Sequence, residues 1–364
     1  MERDALALPV GSRMSPARGH MQGVFDAHGS ARLAFRRRRE QQSKGEAMGM
    51  VNTAGGPVDA AQLGQTLAHE HVNIRTPGIR ENWPERSNRD AAKANAIARI
   101  KAAAALGIRS FVDLTTADMG RDPELLREVQ AATNVNIVCA TGIYWMVPRY
   151  WHGRDADDLA KAFISDFEQG IQGSGVKPGA IKLATDQGAG GLDAVNEKCL
   201  RAGARAHRAT GLPILTHNGP PASAAEQQRI FKDEGVDLSH VAVGHVGDTA
   251  DVGYLKSLMD GGGMIALDRF GMDPILSFDD RVNTLVTLCQ DGYADRIVLA
   301  HDSCCGIDWA PDISAMATRM PNWHIAHISE QVLPALRERG VGDAQINQLM
   351  VQNPAHLLEP AKPY

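Results

Sequence analysis

The sequence contains no run of about 18 apolar residues, so it offers no membrane-spanning helix. Its five cysteines are an odd count, with no C-x-x-C pair and no regular spacing. A disulfide framework is not expected, and a reducing, cytoplasmic setting follows as the default. The adjacent Cys304 and Cys305 read as packing residues. A surplus of positive charge is also missing. The net charge of −5 argues against a nucleic-acid-binding surface as the main purpose of the chain. No G-x-G-x-x-G follows the first strand candidate, as a dinucleotide-binding sheet would require. After residue 50 there is no tight repeat and no Pro/Ser-rich linker, so residues 48–364 read as one domain.

What is present fits a soluble globular protein: 364 residues, 43% hydrophobic and 22% charged. That length suits one large α/β barrel or two ordinary domains. The first 47 residues stand apart, with nine Lys or Arg against five Asp or Glu and the run Arg36–Arg39. They lack the apolar stretch of a secretory signal. They read as a disordered basic extension or as a start placed too early, with Met48 and Met50 as alternative starts. A tail that touches nucleic acid or an anionic surface is the other reading of such a run.

Beyond residue 50, short apolar runs alternate with helical patterns. The strand candidates are TLAHEHV (66–72), IRSFVDLTT (108–116), NIVCATGIY (136–144) and AIKLAT (180–185). PILTHN (213–218), VAVGHV (241–246), MIALDRF (264–270) and IVLAHD (297–302) follow. Each is bounded by Gly, Pro, Asn or Asp, as buried parallel strands are. Segments such as DAAKANAIARIKAAAALG and DPELLREVQAATN carry apolar residues at helical spacing, with acidic starts and Gly or Asn stops. Eight βα repeats over some 250 residues point to a TIM (β/α)8 barrel, with a doubly wound sheet as the runner-up. Residues 51–64 read as a hairpin leading into the barrel, and WAPDISAMATRMPNWHIAH as a segment folding over its mouth.

Active groups of this fold sit at the carboxyl ends of the strands. There stand His69 and His71, Lys182, His217, His245 and Asp302, with Tyr144 and Arg269 beside them. In a regular strand His69 and His71 share a face and Glu70 points away. A lone strand histidine is usually a hydrogen-bonded core residue, a lone lysine a surface group, and Asp302 alone a helix cap. Their joint placement on five strands favours a site. Four imidazoles and a carboxylate suit zinc, iron, manganese or cobalt, and exceed what one open tetrahedral zinc needs. A two-metal centre is the physical reading. An ammonium beside dications would be repelled, so Lys182 has to be neutral or modified. A carbamate formed with carbon dioxide would turn it into an anionic bridge.

TLAHEHV, GAIKLATD, PILTHNG, VAVGHVGDTADVGYL, LDRFGMD and LAHDSCCGIDW, followed by MPNWH, resemble the phosphotriesterase family of the amidohydrolase superfamily. The chain looks most like its lactonase branch, from about residue 50 to 359. The resemblance implies a binuclear centre, zinc first and cobalt, iron or manganese as alternatives. His69, His71 and Asp302 would hold the more buried ion and His217 and His245 the other, bridged by carboxylated Lys182 and a hydroxide. It also implies Asp302 as general base, Tyr144, Trp145, Arg269 and Trp309 around the substrate, and a homodimer. A salt bridge to a loop carboxylate is the alternative role for Arg269. Departures from the family pattern fall at the pocket walls: Asp186 followed by QGAGG, NGPP after His217, and WMVPRYW after Tyr144.

The expected activity is hydrolysis of N-acyl-homoserine or other 4- and 5-hydroxy acid lactones, with promiscuous cleavage of organophosphate triesters. Alternatives are a primary phosphotriesterase or another ester hydrolase, and a non-catalytic barrel scaffold. The expected partner is a small molecule, with neither nucleic acid nor membrane.

Overall fold

A computed structural model describes residues 49–185, 192–219, 223–309 and 313–364. The basic extension 1–47, Asp186 with the glycine-rich run after it, the two prolines of NGPP and residues 310–312 of the mouth segment lie outside the described residues.

The chain opens with an antiparallel hairpin, β1 (Met50–Thr53) and β2 (Gly56–Asp59). Eight strands then form one parallel sheet, each hydrogen-bonded to its neighbours in chain order. They are β3 (Thr66–Glu70), β4 (Ser110–Asp113), β5 (Asn136–Gly142), β6 (Ala180–Ala184), β7 (Ile214–His217), β8 (Val241–Val243), β9 (Met264–Leu267) and β10 (Ile297–Leu299). The sheet closes where the chain beyond β10 runs beside β3. Asp302 N donates to His69 O (3.0 Å), His71 N to Ser303 O (2.9 Å) and Cys305 N to His71 O (2.9 Å). The architecture is the eight-stranded parallel barrel of the TIM type.

The main helices between strands are α1 (Arg89–Ala105), α2 (Pro123–Thr133), α3 (Ala156–Gln169), α4 (Ala194–Thr210), α5 (Ser223–Asp233), α6 (Val252–Asp260) and α7 (Phe278–Gln290). The stop signals act as their chemistry dictates. Asp122 caps α2 by accepting from Leu125 N (3.0 Å), Pro123 starts it, and Asn134 ends it in the left-handed region (φ 55°). Such a cap stabilises a helix by about 1 kcal/mol. In α1 the buried residues are Ala96, Ile100 and Ala103, the i, i+4, i+7 stripe of an amphipathic helix.

Strand residues divide into two layers. Phe111, Ile137, Ile265 and Ile297 pack outward in the layer shared with helices, while Val112, Val138, Ala140, Leu215 and Val298 fill the barrel. Val51 and Leu63 of the hairpin region and Leu357 of the last helix (Asn353–Leu358) join the interior cluster from the amino-terminal end. The hairpin also grips that end directly: Ala54 N donates to Ile137 O (2.8 Å).

The strands are shorter than the apolar runs suggested. β8 ends at Val243, β9 at Leu267 and β10 at Leu299. His245, Arg269 and Asp302 therefore lie just past the strands, as does Tyr144 beyond β5. His245 (φ 60°) and Asp302 (φ 53°) adopt left-handed backbone. A regular strand would send alternate residues to the outer layer. These turns aim each side chain back over the barrel axis, at a conformational cost of about 1–3 kcal/mol each.

Candidate functional site

The ladder between β3 and β4 is irregular between Leu67 and Glu70. Leu67 packs in the outer layer and Ala68 in the interior, yet His69 also faces the barrel axis. Such irregularities re-aim side chains next to active sites. Past the strand, His71 pairs with the chain at Cys304.

Three of the four rings of the cluster are fixed from behind. His69 Nδ1 lies 2.6 Å from Asp268 Oδ2, His71 Nδ1 2.9 Å from Thr115 Oγ1, and His245 Nδ1 3.0 Å from Asp268 Oδ1. Their Nε2 edges turn inward. Asp302 Oδ1 sits 3.3 Å from His69 Nε2 and 3.2 Å from His71 Nε2. Lys182 Nζ is 3.1 Å from His69 Nε2, and His217 Nδ1 is 2.7 Å from His245 Nε2. The Tyr144 hydroxyl stands 3.0 Å from His217 Nδ1. The six groups expected at the strand ends thus converge within one hydrogen-bonded array, and Lys182 is only 1% exposed.

The electrostatics follow from burial and from this crowding. Burial and the nearby Lys182 push the His69 imidazole down to about 3, so it is neutral with a lone pair to offer. Burial pushes the Lys182 ammonium down to about 8. Burial opposes the Asp302 charge, but His69, His245, His71 and Arg269 hold its carboxyl well below the usual range. Burial raises the Tyr144 phenol, which stays protonated at neutral pH. Burial also raises Cys304 well above an ordinary thiol, the wrong direction for a thiolate ligand.

These donors fit a divalent metal. His69, His71 and Asp302 bring ligand atoms within 4.8 Å of one another. Neutral rings whose far nitrogen is hydrogen-bonded to a carboxylate or hydroxyl are the normal form of metal-binding histidine. Asp268 also lies among His69 and His245. Both its oxygens are engaged by Nδ1 atoms, so it belongs behind the rings.

The cavity over the cluster has a volume of about 170 Å³, and Met119, Met272, Ile307, Trp309 and Trp323 contribute its apolar wall. Trp323 is pinned by its Nε1 donating to His301 O (2.9 Å). Trp309 and Trp323, from the segment expected to cover the mouth, do line it. Trp145 does not: its ring lies 5.9 Å from that of Tyr144, and the residue is 37% exposed. Arg269 stands behind the cavity wall. Its Nη1 donates to Asp248 Oδ2 (2.8 Å) and its Nε to Asp302 Oδ2 (3.3 Å), the salt-bridge alternative. Arg281 in turn holds Asp248 Oδ1 (2.8 Å) and the Gly247 carbonyl (2.6 Å). A larger groove of about 910 Å³ lies at the opposite end of the barrel, around the β1–β2 turn. Among the described residues no His, Cys, Asp or Glu lines it.

Four partners were missed in the sequence: Asp268, Thr115, Asp248 and Arg281. Asp268 had a signal, an acid directly before Arg269 at the end of an apolar strand. Glu70 does point away from the histidines, and it has a role there. It accepts from His301 N (2.9 Å), His301 Nδ1 (2.6 Å), Ser303 N (2.9 Å) and Ser303 Oγ (2.6 Å), locking the barrel seam.

A parallel barrel with a histidine–carboxylate–lysine cluster at its carboxyl end is the frame of a metal-dependent hydrolase. The Phosphotriesterase family profile matches residues 49–358, and the chain belongs to that family. It is 45% identical over 320 residues to a phosphotriesterase homology protein of Mycobacterium tuberculosis, covering 85% of this chain and 97% of that one. It is 38% identical over 301 residues to an aryldialkylphosphatase of Saccharolobus solfataricus, covering 82% and 95%. A solved structure from work on "Molecular Engineering of Organophosphate Hydrolysis Activity from a Weak Promiscuous Lactonase Template" superposes with a TM-score of 0.80. It is 34% identical, with 85% of this chain and 99% of that one covered. The protein is a phosphotriesterase-like, metal-dependent hydrolase. Among the described residues no helix is long and apolar enough to cross a membrane.

Proposed function

We propose that this enzyme opens lactones, N-acyl-homoserine or other 4- and 5-hydroxy acid lactones, and cleaves organophosphate triesters as a side activity. The observation that carries this reading is the convergence of four imidazoles, Asp302 and the buried Lys182 amine under a small, largely apolar cavity. The organophosphate side is supported by the name of the Saccharolobus relative, and the lactone side by the engineered lactonase template.

In this reading His69, His71 and Asp302 would hold one divalent ion and His217 and His245 the other, with zinc first and cobalt, iron or manganese as alternatives. Lys182, carboxylated on Nζ, would supply a further anionic ligand. The neutral amine adds to carbon dioxide and releases one proton, and the pKa lowered to about 8 enlarges the neutral fraction over that of an ordinary lysine. When bound, such ions polarise the scissile carbonyl or phosphoryl group and bring the pKa of a water toward neutrality. The Asp302 carboxylate takes the proton of the attacking water, as a general base placed beside it does. Arg269, fixed by Asp248, orients Oδ2 of that carboxylate. Tyr144, a phenol at neutral pH, donates to the leaving oxygen. Trp309, whose ring lies 6.2 Å from Tyr144, keeps bulk water from the leaving side. We also propose a cytoplasmic homodimer in which residues 48–364 form one domain, acting on small molecules, with neither nucleic acid nor membrane as partner.

A primary phosphotriesterase is the second reading, favoured by the aryldialkylphosphatase relative. Assay of one purified sample on an acyl-homoserine lactone and an aryl phosphotriester ranks the two. A higher kcat/KM on the lactone is expected, and a higher value on the triester would reverse the order. Lys182→Ala is expected to lose nearly all activity and to regain part of it with added formate or acetate, which replaces the carboxylate bridge. Full activity in the variant without added acid would remove the bridging role.

A further inference from the structure

Asp268 touches both halves of the cluster. Its Oδ2 lies 2.6 Å from His69 Nδ1, while its Oδ1 accepts from His245 N (2.7 Å) and lies 3.0 Å from His245 Nδ1. It is fully buried, at 0% exposure. Room for it is built in. A Cβ at Gly244 would sit against the Thr216 carbonyl and within 2.8 Å of Asp268 Oδ2. The backbone bond from His245 N also holds the left-handed turn that brings His245 over the barrel.

We infer that Asp268 is a positioning residue shared by the two ion sites, setting the tautomer of one histidine in each. This rests on the binuclear reading. An ionised carboxylate is an acceptor at every lone pair. It therefore requires Nδ1–H on both His69 and His245 and leaves both Nε2 lone pairs turned into the cluster, toward Lys182 and His217. Residues that orient ligands in this way typically contribute 10–100-fold to metal affinity.

Asparagine breaks this symmetry in a defined direction. An amide has one accepting oxygen and one donating nitrogen. The backbone N–H of His245 cannot change its role, so the amide oxygen has to stay on the His245 side. The NH₂ then faces His69 Nδ1, which has to become an acceptor. The His69 proton moves to Nε2, and the lone pair offered to an ion is lost. Asp268→Asn disables the site of His69 and spares that of His245. Asp268→Ala releases both rings and weakens both sites.

The test titrates metal-depleted wild type, Asp268→Asn and Asp268→Ala with Zn²⁺ against a chromophoric chelator, with ions per chain counted by mass spectrometry. Long-range ¹H–¹⁵N spectra of the metal-free proteins report the histidine tautomers. In Asp268→Asn one of two ions is expected to weaken by about 10–100-fold, with His69 shifted to the Nε2–H form. Asp268→Ala weakens both ions. Two ions bound by Asp268→Asn as tightly as by wild type, or both weakened with His69 still Nδ1–H, would overturn the assignment. Should Asp268→Ala not fold, the isosteric Asn variant decides alone. Fewer than two ions in wild type would instead end the binuclear reading, and the tautomer spectra would still judge Asp268.

Discussion

Asp302→Asn is expected to lower kcat on the best lactone or triester by about 10²–10⁴-fold, the range that removal of a general base spans. Asp302 is where the separate parts of the site meet. Oδ1 lies between the Nε2 atoms of His69 and His71, and Oδ2 takes the Arg269 guanidinium. The substitution keeps the shape and removes the charge and the proton-accepting oxygen. The backbone is not the reason for the loss, because asparagine tolerates the left-handed conformation at φ 53° as well as aspartate does. Arg269 retains Asp248, so its guanidinium keeps a carboxylate partner. Activity should therefore fall far more than the thermal midpoint. Steady-state rates, metal content and melting of the same sample check this. A rate within tenfold of wild type, with metal unchanged, would remove Asp302 from the chemistry.

Glu70→Gln is expected to act on stability. The Glu70 carboxylate is 1% exposed and accepts four donors from His301 and Ser303. All four belong to the chain just beyond β10, so this one side chain closes the seam between the first and last strands of the barrel. A glutamine places an NH₂ where two of those donors point. Leaving two buried donors without an acceptor costs about 1–3 kcal/mol each. At about 2–3 °C per kcal/mol for a large domain, the midpoint should drop by about 4–18 °C. Asp302 lies inside the strapped segment, so activity should fall with it. A midpoint within a degree of wild type would mean that the seam holds without Glu70.

The barrel was legible because its signals are local. Each strand is a short apolar run with a turn residue at its end, and Asp122 and Asn134 bracket α2 as their side-chain chemistry requires. The six cluster residues were legible because the fold places strand ends on one rim. What stayed hidden depends on distant partners. The separation of 199 positions from His69 to Asp268 carries no periodicity that links them. The same holds for Glu70 and His301. The left-handed turns at His245 and Asp302 were hidden too, since neither residue is the glycine that such backbone usually announces. The resemblance placed Trp145 around the substrate. The turn after β5 carries it outward instead.

The central claim is that these side chains hold two ions side by side. Anomalous X-ray diffraction at the zinc edge, on crystals of zinc-loaded protein, tests it most directly. The account predicts two peaks, one among His69, His71 and Asp302 and one at His217 and His245, with elongated density on Lys182 between them. A single peak, a peak away from this cluster, or an unmodified Lys182 amine beside a bound ion would contradict it.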